Sequence, residues 1–133
     1  MHSFLRIPPR PTHQKEIDIN GKSVMIEWTD RAESALRLAQ TPVLVEMELY
    51  YSCLVKKFVH FRDQPRKRPL ISVTDKLQVY FRPVTSTACD PFEATRAGRQ
   101  PETEINTVTA SKLAPKRLLL DYRHGKWEGE YWL

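Results

Sequence analysis

Between Pro42 and Arg62 the chain reads PVLVEMELYYSCLVKKFVHFR, a run dense in β-branched, aromatic and aliphatic residues. The run is too long for one ordinary strand and fits two adjacent strands joined by a tight connection. Val43, Val45, Met47, Leu49 and Tyr51 share one face by the two-residue period of a strand. Glu46 and Glu48 fall on the other, which predicts that this second face is at least partly wet. In the following strand Val55, Val59 and Phe61 share a face, with Leu54, Phe58 and His60 opposite. Cys53 then lies at or near the bend. A thiol at a strand connection is easier to reach than one in a core, so Cys53 is the candidate for chemistry. The alternative is a small buried hydrophobe, a common role for an unpaired cysteine.

The flanking segments supply punctuation. Lys15–Ile19 leads into Asn20-Gly21 and then Lys22–Trp28. Asn-Gly supplies the two positive φ angles of a type I′ hairpin turn. Thr29 or Asp30 caps a following helix, and Asp30 with Glu33 has capping-box spacing. Ala32, Ala35, Leu36 and Ala39 recur at helical spacing and make a narrow apolar face of small side chains. Thr41-Pro42 ends the helix. Ile71–Val73 and Leu77–Val84 resume strand patterning, Ile105–Thr109 reads as a short strand, and Leu118–Tyr122 with Lys126–Trp132 forms a closing hairpin turning near His124-Gly125.

These elements predict an α+β fold: mostly antiparallel strands in one or two sheets with one main helix. Residues 1–14 read as a proline-rich arm, because Pro8, Pro9 and Pro11 each lack an N–H and fix φ. Residues 15–133 read as one domain with a long polar loop near 90–104. A chain of 133 residues can bury a real core without disulfides. Its two cysteines, Cys53 and Cys89, have no zinc-ribbon spacing and predict a reduced, intracellular pair. No run approaches the roughly 18 apolar residues of a membrane helix, and no apolar leader opens the chain. A soluble, cytoplasmic protein without a membrane partner is expected.

The chemistry in the sequence is sparse. Cys53, His60, Cys89 and Asp90 are the obvious metal-ligand types, but none are spaced as knuckle or helix ligands. Nucleophilic catalysis at Cys53 needs a base and an orienting group. His60, His124 and Asp121 are available, yet nothing in their spacing brings them together. No phosphate-cradling glycine loop is present. The net charge of +5 raises the prior for acidic partners. Arg66, Lys67 and Arg68 in one linker, with Lys116 and Arg117 in another segment, are candidate phosphate contacts. Tyr80, Phe81, Tyr122 and Trp127 are candidate stacking faces.

One family resemblance emerges. The segment MIEWTDRAESAL from Met25 is similar to the strand, cap and alanine-rich helix of HesB-like, A-type iron–sulfur carriers. Ser52-Cys53 at a strand junction and the stretch LLLDYRHGKWEG from Leu118 resemble later parts of that family. The resemblance implies a carrier-like scaffold and an iron–sulfur cluster. The departures are specific. Cys53 is flanked by Tyr51, Ser52, Leu54 and Val55 rather than glycines, and the family's closing Cys-x-Cys pair has no counterpart up to Leu133. Only Cys53 matches a cluster ligand, and clusters take four protein ligands. A cluster therefore requires Cys53 to be shared between two subunits. The expected function is a non-enzymatic binding or accessory protein on a degenerate scaffold of this kind, with a protein partner or self-association. The alternatives are a nucleic-acid-binding domain using the basic segments, or a cysteine-dependent enzyme.

Overall fold

The computed structural model describes residues 10–51, 55–86, 102–104 and 113–133. Strands β1 (His13–Ile19) and β2 (Lys22–Trp28) form the first hairpin. Its turn residues Asn20 and Gly21 have φ of 54° and 78°, the left-handed pair a type I′ turn needs. Helix α1 (Asp30–Leu38) follows, then β3 (Val43–Tyr51) and β4 (Val55–Arg62). Next come β5 (Ile71–Thr74), β6 (Leu77–Ser86) and β7 (Glu102–Glu104), and the chain closes with β8 (Arg117–Arg123) and β9 (Lys126–Trp132).

The strands make two mixed, largely antiparallel sheets, with one helix among the described residues. The first has the order β1-β2-β8-β9 and the second β4-β3-β6-β5, with β7 on the far end of β6. Each sheet consists of two hairpins joined in parallel through their inner strands, β2 beside β8 and β3 beside β6. The sheets stack with β4 against β9 and β1 against β5. Inward side chains from both sheets, among them Ile26, Met47, Val79, Leu118 and Leu120, form one core. Alternation along each strand aims these residues at the opposing sheet.

Helix α1 carries the chain from the first sheet to the second. Thr29 is its N-cap, accepting from the Ala32 N–H at 3.2 Å. The capping-box partner does not form. Glu33 instead accepts from the Trp28 indole at 3.0 Å and pairs with Arg37. Ala32 and Leu36 are buried, and the short alanine side chain lets the helix approach β8 closely. The helix stops at Leu38, before the Thr41-Pro42 signal, because the Ala39 N–H turns back to the Leu36 carbonyl.

The β4–β9 seam is where the sheets come nearest. A Cβ added to Gly129 would lie 2.8 Å from Val59 Cγ1 and 3.0 Å from Leu120 Cδ2, closer than packed carbons tolerate. Phe61 stacks on Trp127 at 5.8 Å beside it. Tyr131 crosses the seam and donates to the Glu48 carbonyl at 2.5 Å.

Two boundaries differ from expectation. His13 and Gln14, expected in the arm, pair with Trp28 and Glu27. Thr12 and His13 also reach Asp30 at the helix start, so the chain is tied down earlier than its prolines suggest. Glu102–Glu104, expected as the end of the long loop, pair with Val84–Ser86. Residues 1–9 of the arm, most of that loop and the 105–109 strand lie outside the described residues. No described helix is long and apolar enough to cross a membrane.

Candidate functional site

The outer face of the second sheet carries the densest polar cluster among the described residues. Glu46 and Glu48 stand on β3, His60 and Arg62 on β4, Tyr80 and Arg82 on β6. Register puts Glu46 opposite both His60 and Tyr80, and Glu48 opposite Arg82. Since side chains two apart share a face, three short patterns, Glu-x-Glu, His-x-Arg and Tyr-x-Arg, converge on one patch. This corrects the expectation of a wet face: Glu46 and Glu48 are both fully buried.

Burial of a carboxylate requires compensation, and the neighbours supply it. Glu46 accepts from Tyr80 Oη at 2.5 Å and from Arg62 at 3.1 Å. Glu48 receives His60 Nε2 at 2.8 Å and Arg82 at 3.5 Å. His60 Nε2 also lies 3.8 Å from Glu46, and its ring stacks on Phe58 at 5.7 Å. Burial, then the hydrogen bond to Glu46, pushes the Tyr80 hydroxyl up to about 12, so Tyr80 is a donor at neutral pH. Two carboxylates face two guanidiniums, so their formal charges balance.

Glu46, Glu48 and His60 bring three ligand-type atoms within 4.8 Å of one another. Their donors are oxygen and nitrogen only, whereas iron–sulfur clusters are held chiefly by thiolates. The group does not fit such a cluster. A divalent cation there would share the carboxylates with two guanidiniums already bound to them, which raises the electrostatic cost.

A third buried carboxylate, Asp121 on β8, anchors the helix. It accepts from Thr29 Oγ1 at 2.5 Å, from the Tyr122 N–H at 2.8 Å and from Arg31 through two nitrogens at 3.2 and 2.6 Å. Burial alone would push its carboxyl up, but these donors outweigh burial and hold it below the usual carboxylate range. Asp121 thereby ties the start of the helix to β8 through Thr29 and Arg31. It lies on the first sheet, His60 on the second, and His124 sits in the β8–β9 turn at φ 53°. The structure does not unite the three.

The basic candidates are divided. Arg66 and Arg68 are exposed and Lys67 half-buried in the β4–β5 connection, and Lys116 is exposed just before β8. Arg117 is engaged, pairing with Glu27 and lying 4.7 Å over the Trp132 ring. The proposed stacking faces are also occupied. Tyr80 and Phe81 are buried, and Tyr122 packs edge-on against Trp127 at 5.1 Å.

Cys53 and Cys89 lie outside the described residues. Strand β3 ends at Tyr51 and β4 starts at Val55. The polar patch escaped the sequence reading because each strand contributes only two of its members. The alternation was visible, but the pairing of β3 with β6 joins positions with a whole hairpin between them. No protein-family model, no curated protein and no solved structure matches the chain.

Proposed function

We propose that the chain is a non-enzymatic binding or accessory protein on a degenerate A-type-carrier-like scaffold. One observation carries the reading: the three buried carboxylates, Glu46, Glu48 and Asp121, are each held by the chain's own arginines. A general base needs an available lone pair. A carboxylate clamped by a guanidinium has none in ready form. These groups fix strands and helix in place and leave the chain's remaining charge on its surface. The order strand, helix, two antiparallel strands supports the scaffold part.

Affinity-tagged full chain, isolated from its host after mild crosslinking, tests the function. A stoichiometric protein or nucleic-acid partner retained through gel filtration supports it. A monomer without a partner, turning over a substrate in a way that Glu48→Gln abolishes, overturns it. Anaerobic incubation with iron and sulfide tests the cluster separately. A coloured dimer bleached by Cys53→Ser restores carrier chemistry, and colourless protein removes it.

A further inference from the structure

Strand β1 is an open edge of the first sheet. The two-residue turn after it makes Ile19 and Lys22 a hydrogen-bonded pair. Alternation then gives the backbone groups of Lys15, Ile17 and Ile19 to β2 and turns those of Gln14, Glu16 and Asp18 outward. The Met25 N–H, bonded to the Lys116 carbonyl on the far side of β2, fixes the same phase. All three outward residues are exposed, and among the described residues no strand lies beyond β1. The other edge of this sheet, β9, is closed. Lys57 Nζ donates to the outward carbonyl of Tyr131 at 2.8 Å, and Val59 lies against buried Gly129. β1 keeps an unbroken seven-residue register with β2. It presents a regular row of amides and carbonyls, the template for an added strand.

The side chains along this edge say what kind of strand fits. On the outer face, Asp18 accepts from the Gly21 N–H and Glu16 from Ser23 Oγ. Each bond uses one of a carboxylate's roughly four acceptor sites, so both charges remain open to a neighbour. Antiparallel pairing of two copies centred on this strand sets Glu16 against Glu16, and like charges directly opposite destabilise a strand pair. A strand with basic side chains at alternate positions meets opposite charge instead. On the inner side Ile17 and Ile19 are buried. The end of β1 borders a hollow of about 220 Å³ whose walls include Ile19, Pro69 and Ile71. The intervening positions of an added strand face that side and suit apolar side chains. Lys15, exposed on the same side, offers them its aliphatic stem.

We propose that β1 binds an extended segment of another protein as an added antiparallel strand, one in which basic and apolar residues alternate. The proposal rests on the reading of the chain as a binding protein and names its partner class. If it fails while a stoichiometric partner still co-purifies with the full chain, that reading survives with a different interface.

The test is fluorescence anisotropy of a labelled, end-blocked peptide of alternating lysine and valine with the full chain. Saturable binding is expected, and the matching glutamate–valine peptide should not bind. N-methylation of the lysine amides keeps every charge but removes the donors that face Glu16 and Asp18, and should abolish binding without any change to the chain. Glu16→Lys turns an attraction into a repulsion and should weaken binding about tenfold. Glu130→Lys makes the same charge change on β9, the other edge strand of that sheet, and should leave binding intact. Unchanged thermal melts show that both variants are folded. Amide exchange followed by NMR should show the Glu16 and Asp18 N–H groups slowed by the peptide. Five results would overturn the proposal: no saturable binding, equal binding of the N-methylated peptide, no greater loss in Glu16→Lys than in Glu130→Lys, slowed exchange on another strand with Glu16 and Asp18 unchanged, or a dimer that protects these amides without peptide.

Discussion

At the scale of single residues, the buried acids set the pH range over which the fold holds. Asp121 has a depressed folded-state pKa. Its stabilisation is complete above the unfolded value of about 3.9 and is lost as pH falls through the folded value. Asp121→Asn should therefore flatten the acid limb of a stability–pH profile measured by urea unfolding. Asp121→Ala should cost about 3 kcal/mol at neutral pH, the lower end for breaking a buried ion pair, because half-exposed Arg31 regains water. Tyr80 has the opposite sign. Its folded pKa is raised to about 12, so its contribution is complete below the unfolded value of about 10 and lost as pH rises through the folded one. Tyr80→Phe should reduce the alkaline loss of stability between those limits, and an unaltered alkaline limb would show that the Glu46 contact does not govern it. Tyr131, also pushed up by burial and then by the Glu48 carboxylate, retains a share of that limb.

At the scale of elements, the seam between β4 and β9 depends on one missing side chain. Gly129→Ala places a methyl where Val59 and Leu120 already lie. The expected cost is about 1–3 kcal/mol, typical of overpacking. Val59→Ala in the same chain should recover part of it, a coupling that a double-mutant cycle reads directly. The sequence marked the strand containing Gly129 but not its partner, since strand alternation carries no information about the opposite sheet. The same limit explains what else was and was not legible. The Asn20-Gly21 and His124-Gly125 turns, the Thr29 cap and the break after Tyr51 were readable because local chemistry decides them. The parallel pairings β2–β8 and β3–β6 were not, because they join hairpins distant in the chain. Glu46 and Glu48 were placed on the correct face and given the wrong environment for that reason: their cover comes from Arg62 and from Tyr80 and Arg82 on β6.

At the scale of the whole molecule, each buried carboxylate is matched by an arginine. Arg62, Arg82 and Arg31 neutralise carboxylates that the fold has taken out of water. A buried ion pair is weak evidence for stability, because desolvation offsets most of its attraction. The outer face of the second sheet should therefore tolerate loss of a whole pair better than loss of one partner. Arg62→Met leaves Glu46 buried with Tyr80 and His60 as its polar neighbours, and is expected to cost about 3 kcal/mol. Glu46→Met orphans a guanidinium that is three-quarters buried and should cost a similar amount. The double variant removes both charges and replaces them with unbranched apolar chains. It should recover at least half of the summed loss, measured as urea midpoints at constant slope. Full additivity of the two costs would mean that Glu46 and Arg62 act through separate partners. Recovery with binding intact would identify the network as framework, whereas recovery of stability with loss of binding would place the recognition site on the second sheet.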